Sequence, residues 1–361
     1  MKIAYIANVG EQSHGVRRKV LEQISAWMTL GHEVEMFCVS PASDPRYALW
    51  TRRNLLNHRP ALLADVKRFN PNIVYWREER FTAFTLALLR MFAKKTVLEI
   101  NSSSEHEGRL FLHKSFARTL SYYLHILSQP LVARRVLGLV CVTEELAFAP
   151  EFARQPNRLV SPNGIALAGK TVIKKAGQSG PTRIIFMGSP GQPWQGVDKL
   201  PALANALGPD FQFHVVGPPA EDISSQGNSP ENVVVHGYLD DSACARLLAD
   251  AHIGMGAIAR HRTKMEEACP LKTRAYIAAG LPVILPYRDT AFREMVPEWV
   301  LPLPNREDVF EDAAAVEAVR GFCEAKRNRI VTHEESRPYI EVTSLESKKL
   351  AAMASWLQLD A

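Results

Sequence analysis

The stretch KMEEACPLKTRAYIAAGLPVIL, residues 264 to 285, sets the architecture. Two glutamates, Glu266 and Glu267, stand just before a helix whose first turn lies near Lys272. That helix reads as Thr273 to Ala279, stops at Gly280, and hands on to a strand over Pro282 to Leu285. A helix feeding directly into a short apolar strand is one step of the βαβ succession that builds a parallel sheet.

Outward from that step the same succession repeats along the whole chain. Strands read at Lys2 to Ala7, Glu33 to Val39, Ile73 to Trp76, Thr96 to Ile100 and Gly138 to Val142, with helices including Val16 to Leu30 and Ala83 to Phe92. After Asn157 the text turns to RLVSPNGIALAGKTVIKKAGQSGPT, where Pro, Gly, Lys and Ser replace apolar periodicity. A second series follows, with strands at Arg183 to Met187, Gln212 to Val216, Asn232 to His236, Ile253 to Ala257 and Pro282 to Leu285. Helices near Leu200 to Leu207, Ser242 to Ala249 and Thr273 to Ala279 separate them, and Val342 to Gln358 has a helical period of its own. The fold class is therefore α/β, with two Rossmann-like, doubly wound domains. Ligands of such sheets bind beyond the carboxyl ends of the strands, which puts the expected site in a cleft across which the two domains face each other. The expected partition is a first domain over 1–165, a linker over 166–182, a second domain over 183–340, and a C-terminal helix over 341–361 that packs back toward the first.

A chain of 361 residues exceeds the usual size of a single core, in keeping with two domains. Apolar residues at 47% and charged residues at 22% exclude a largely disordered chain. The cysteines Cys38, Cys141, Cys244, Cys269 and Cys323 form no CxxC pair, so neither a disulfide framework nor a zinc site is encoded, and a reducing cytoplasm is expected. The start MKIAYIANVG reads as strand and loop rather than a signal peptide, and no apolar run is long enough to span a membrane.

Charge is uneven. Residues 1 to 140 hold 20 Lys and Arg against 11 Asp and Glu, a balance of +9, and the remainder holds 23 against 27, a balance of −4. Arg52, Arg53, Arg59, Lys67 and Arg68 lie close together, and Arg109, Lys114, Arg118, Arg134 and Arg135 follow on a helical stretch. Such a half is either a solvated basic face or a surface for anionic lipid or a phosphate-bearing acceptor. No nucleic-acid partner is expected, since no recognised binding motif accompanies the charge.

Three loops carry candidate chemistry. The first strand runs into Asn8 to Gly15 and then a helix, so glycines and unpaired N–H groups could meet a phosphate, although the spacing is not GxGxxG. RIIFMGSPGQPWQG repeats the device, with Gly188 at a strand end and Gln195 offering an amide to a pyrophosphate; the plain alternative is a surface turn. In 264 to 285 a carboxylate can accept hydrogen bonds from sugar hydroxyls while the helix start meets a phosphate or hydroxyl oxygen, the alternative being simple capping by Glu266 or Glu267.

This last segment resembles the donor-binding segment of family 4 glycosyltransferases, retaining enzymes of the GT-B fold. The matching residues are Glu267, then Pro270, Leu271 and Lys272, then Ala279, Gly280, Leu281, Pro282, Val283 and Ile284. SPNGI at Ser161 to Ile165 is similar to that family's inter-domain turn, and VVVHGYLDD at Val233 to Asp241 to its strand and following loop. The resemblance implies an acceptor-binding first domain, a nucleotide-sugar-binding second domain, and sugar transfer to an acceptor hydroxyl with retention. It implies Glu267, Asn101 and His106 as catalytic candidates, and Gly15, Gly188, Gln195, Leu271, Lys272 and Arg274 as donor-binding ones. Three positions depart from the pattern. Ala275 replaces a second glutamate directed at the ribose, Gln195 replaces a lysine directed at the pyrophosphate, and Asn101 replaces a histidine. Lys272 and Arg274 are the charges placed to compensate, and His106 is the remaining histidine for the acceptor side. No cofactor or metal is expected, because Asp240 and Asp241 read as a helix start rather than a metal-binding pair. The expected partners are a nucleotide-sugar, a glycan or lipid-linked acceptor, and an anionic membrane surface at the cytoplasmic face, as in polysaccharide or glycolipid synthesis. A non-catalytic nucleotide-sugar-binding or scaffold member of the fold and a nucleotide-sugar epimerase remain as alternatives.

Overall fold

The computed structural model describes residues 1–9, 14–38, 59–112, 116–175, 177, 179–224 and 229–358. The chain divides into two compact units, one of Met1–Pro162 with Val342–Ala361 and one of Asn163–Glu341.

The first unit carries β1 (Lys2–Ala7), α1 (His14–Thr29), β2 (Glu33–Cys38), α2 (Pro60–Phe69), β3 (Ile73–Arg77), α3 (Ala83–Phe92), β4 (Thr96–Ile100), α4 (Ser104–Arg109), α5 (Phe116–Arg135), β5 (Gly138–Cys141), α6 (Glu144–Ala147) and β6 (Arg158–Val160). Its strands form one parallel six-stranded sheet in the order β2-β1-β3-β4-β5-β6. The near-continuous apolar runs of β1, β3, β4 and β5 are what a sheet covered on both faces requires. The short strand β6 lies in the Pro-, Gly- and Ser-rich stretch after Asn157, where the sequence showed no apolar period. Leu139 N–H donates to the Asn157 carbonyl at 2.8 Å and Ser161 N–H to the Cys141 carbonyl at 2.8 Å, so Arg158–Val160 completes the ladder despite weak local signals.

The second unit carries β7 (Thr182–Met187), α7 (Leu200–Leu207), β8 (Phe211–Val216), α8 (Ala220–Ile223), β9 (Val233–Gly237), α9 (Asp241–Asp250), β10 (Ile253–Met255), β11 (Glu267–Ala268), α10 (Leu271–Ala278), β12 (Val283–Leu285), β13 (Arg288–Asp289), β14 (Val300–Pro302), α11 (Ala313–Lys326) and α12 (His333–Ile340). A second parallel six-stranded sheet has the order β14-β12-β10-β7-β8-β9, and β11 pairs with β13 beside it. Alternation along β7 sends Ile184 and Phe186 into one apolar layer and Ile185 into the other, so both faces are packed. Residues expected to be a linker belong to this unit. Lys174 N–H donates to the Ala279 carbonyl at 2.9 Å, and its ammonium to the carbonyls of His252 at 2.8 Å and Arg329 at 2.6 Å. A segment that satisfies its polar groups inside one domain is not a free tether.

The chain then returns to the first unit as α13 (Val342–Gln358), which packs along α1. Leu350, Met353 and Trp356 join Ile3, Tyr5, Trp27 and Tyr75 in one core. Among the described residues no helix is long and apolar enough to cross a membrane.

Candidate functional site

The second unit gathers four of the predicted donor residues around the start of α10. Tyr276 fixes the helix: its hydroxyl accepts from Met187 N–H at 2.6 Å, and its ring lies where a side chain on Gly254 would have to be, 2.5 Å from that Cβ position. Helix α10 ends at Gly280, whose φ of 94° an L side chain rarely adopts. Leu281 N–H donating to the Tyr276 carbonyl at 3.0 Å closes that turn and aims the chain into β12. Gly188, directly after β7, is equally constrained. A Cβ there would stand 2.9 Å from the Phe186 ring, and one on Gly217 would stand 2.0 Å from the Gly188 carbonyl oxygen, so the loops after β7 and β8 touch backbone to backbone.

The turn after Gly188 brings Gln195 to the helix start. Ile258 N–H donates to the Gln195 carbonyl at 2.9 Å, and the Gln195 amide nitrogen donates to the Gln192 side chain at 3.1 Å. The Gln195 side-chain oxygen accepts from the Lys272 ammonium at 2.8 Å. The same ammonium sits 3.8 Å from the centroid of the Phe186 ring, a cation–π contact. Position 195 thus lacks its own cation but has one brought to it from α10. No carboxylate among the described residues pairs with Lys272. Burial, and after it the charge of Arg260, push this lysine well below the usual lysine range. Leu271 opens the helix, and its N-cap, Pro270, supplies no side-chain cap, while the first turn holds no acidic residue. Uncapped N–H groups, the positive end of the helix dipole and an ammonium short of a counter-ion make an anion-binding arrangement.

Glu267 lies in β11, four positions before α10, and is 9% exposed. Arg274 has a different place from the one the sequence suggested. Its guanidinium donates to Asp289 at 3.0 and 2.5 Å, to the Asn163 carbonyl at 2.8 Å and to Cys269 Sγ at 2.7 Å, and it is fully buried. It knits the Asn163 turn, the Glu267–Cys269 segment and β13 together, with its guanidinium engaged by protein groups. One helical residue separates it from Lys272, and roughly 200° of rotation at 3.6 residues per turn turns the two side chains to opposite sides. Ala275 is buried at 8% exposure. Asp240 caps α9, accepting from Ala243 N–H at 2.7 Å.

In the first unit, Gly15 is the exposed second residue of α1, and residues 10 to 13 of the expected phosphate loop lie outside the described residues, as do Arg52, Arg53 and Lys114. Asn101 follows β4 directly and is half-buried. His106 sits in α4, where Ser103 Oγ accepts its N–H at 3.2 Å and starts the helix. Its Nδ1 is buried with no hydrogen-bond partner.

Sequence reasoning missed Phe186 and Arg260, which shape the electrostatics of Lys272. It also missed a charge cluster buried in the first unit. Glu99 accepts from Lys19, from Arg77 at 3.2 Å and from Tyr5 at 3.4 Å, while Glu346 of α13 accepts from Lys349 at 2.6 Å, Trp27 at 2.7 Å and Gln23 at 3.2 Å. An isolated Glu in the apolar run TVLEI was the available signal.

No family model matches the chain, and no curated protein sequence is significantly similar to it. Solved structures do match over the full length. Sucrose-phosphate synthase from Thermosynechococcus elongatus superposes with a TM-score of 0.68 at 15% identity, covering 100% of both chains. The fold is that of GT-B glycosyltransferases. An α-glucosyltransferase in complex with UDP-glucose and DNA containing an abasic site gives 0.61 at 12% identity, covering 98% of this chain and 99% of that one. A lipopolysaccharide outer core galactosyltransferase gives 0.59 at 11%, with 98% and 99% covered.

Proposed function

We propose that this GT-B chain transfers a sugar from a nucleoside-diphosphate sugar to an acceptor hydroxyl with retention, as a family 4-like hexosyltransferase. The observation that carries this is the Lys272 ammonium, short of a counter-ion, at the uncapped start of α10 and bonded to Gln195. A diphosphate placed there meets that cation, the nearby charge of Arg260 and the helix N–H groups, donors already positioned for the charge that develops as the diphosphate departs. The charge stabilisation comes from these groups, and we invoke no metal. Glu267, on the segment leading into α10, receives the sugar hydroxyls. Asn101 and His106 belong to the acceptor side in this proposal, and the acceptor is a glycan or a lipid-linked group presented at the cytoplasmic face of a membrane, in polysaccharide or glycolipid synthesis. A nucleic acid is not proposed, although four of the matched α-glucosyltransferase structures hold DNA: helix α5 of the first unit carries arginines but exposes leucines beside them, a surface a phosphodiester chain does not need. Ala275 favours a second reading, a non-catalytic nucleotide-sugar binder.

Incubation with UDP- and GDP-sugars and a panel of glycan and lipid-linked acceptors separates the two, since only the transferase yields a glycosidic product. Its anomeric configuration by NMR tests retention. Glu267→Ala is expected to lower kcat/KM by the worth of a charged hydrogen bond, roughly 1.5 to 3 kcal/mol. Unchanged turnover in that variant removes Glu267 from the donor site.

A further inference from the structure

Helix α5 is amphipathic the wrong way round for a helix of a water-soluble domain. Its buried residues are Tyr122, His125, Gln129, Val132 and Ala133, a largely polar set. Its exposed side carries Phe116 at 84% exposure, Leu120, Tyr123, Leu124, Leu127 at 74% and Leu131 at 58%. At about 100° per residue these six fall within roughly a 100° arc, opposite the buried set. Six large apolar side chains lined up in water along one helix are a contiguous patch of the kind that marks an interaction surface.

Charge identifies what covers it. The sequence FARTLSYYLHILSQPLVARR contains three arginines and no Asp or Glu. Arg118 lies in the first turn, and the exposed Arg134 and Arg135 close the last turn, where cations complement the helix dipole. A second copy of this face would bring arginines to arginines with no carboxylate on the helix to meet them. An apolar stripe on a helix whose own charges are all cations, with Arg134 and Arg135 at its end, matches instead the boundary of an anionic bilayer, where leucine and phenylalanine enter the acyl edge and arginines stay among the headgroups.

We propose that α5 is the membrane-docking element of this protein: it lies in the plane of an anionic leaflet with Phe116, Leu120, Tyr123, Leu124, Leu127 and Leu131 inserted. This deepens the proposed placement at the cytoplasmic membrane face by assigning it to one helix, and it does not depend on the sugar chemistry. The +9 balance of the first 140 residues brings the protein to the surface, and the apolar stripe holds it there.

The test is sedimentation of the full chain with vesicles of phosphatidylcholine containing phosphatidylglycerol, and with phosphatidylcholine alone. The wild type is expected to pellet with the anionic vesicles and to be released partly, not wholly, by salt. Leu127→Glu with Leu131→Glu removes two inserted side chains and is expected to weaken partition at least about tenfold, as is Arg134→Glu with Arg135→Glu. These side chains are exposed, so unchanged thermal melting and unchanged UDP titration report an intact fold in each variant. Wild-type protein left in the supernatant, or leucine variants that pellet as well as wild type, overturns the proposal. A wild-type dimer in light scattering that the leucine variants split also overturns it, in favour of a second copy as the occupant. Vesicle binding without nucleotide binding would leave α5 as assigned while removing the transferase proposal, so the two fail separately.

Discussion

The two units hold their buried charge in opposite ways. In the first, Glu99 is met by Lys19, Arg77 and Tyr5 and Glu346 by Lys349, Trp27 and Gln23, and both carboxylates are buried. In the second, Arg274 and Asp289 form a similarly closed pair, but Lys272, two positions earlier on the same helix, has a glutamine, an aromatic ring and another cation for company. Charge matched inside the protein serves the fold. Charge left without a counter-ion at a helix start is a place for a ligand, because an external anion supplies the counter-charge that the protein does not.

The largest expected effect is on the closed cluster. Burial alone would raise Glu99, but Lys19, Arg77 and Lys349 outweigh it and hold the carboxyl well below the usual carboxylate range. Glu99→Gln leaves the buried Lys19 without its counter-charge and is expected to cost about 3 to 5 kcal/mol in chemical denaturation. The pH dependence follows from the sign of the shift. With the folded-state pKa depressed, the stabilisation is complete above the ordinary glutamate range and is lost as pH falls below it, so the wild type should lose stability on acidification through that range more steeply than the variant. Equal acid sensitivity would mean that the cluster is not what holds this unit.

The intermediate effect concerns Lys272. Lys272→Ala should weaken nucleoside diphosphate binding by roughly tenfold to a hundredfold, the loss of a charged hydrogen bond, while leaving thermal stability unchanged or improved. The free site holds this lysine below its ordinary pKa and a bound diphosphate raises it, so wild-type binding should take up a proton at a pH between those two values and weaken as pH rises. Calorimetry in buffers of different ionisation enthalpy reads that uptake, and the alanine variant should lack it. A destabilised Lys272→Ala would place the lysine with the matched charges and erase the contrast.

The smallest effect is at Ala275. Ala275→Glu adds a carboxylate one turn from Lys272, and with one or two hydrogen bonds to ribose hydroxyls it should tighten uridine or guanosine diphosphate by about threefold to a hundredfold. The low end is expected if the new carboxylate also pairs with Lys272, an i,i+3 neighbour. Weaker binding would show that the pair forms at the expense of the diphosphate.

Most of the element order was legible in the chain's own periodicity. Alternating runs gave Lys2–Ala7, Thr96–Ile100, Ala83–Phe92, Leu200–Leu207 and Val342–Gln358 with the bounds the structure has, because each carries a period that local geometry enforces. Strands as short as Arg158–Val160 and Val300–Pro302 escaped, since three residues hold no period and their ladder partners lie far along the chain. The sequence also marked residues 264 to 285 as the segment carrying the candidate chemistry. Which of its charges are available depends on packing between distant segments. Lys272 and Arg274 look equivalent in the text, yet the helix turns one toward Gln195 and the other toward Asp289, 15 residues further on. Composition likewise counted the arginines of α5, but only packing showed that its leucines face outward, because which side of a helix is buried depends on the sheet it lies against and not on the helix alone.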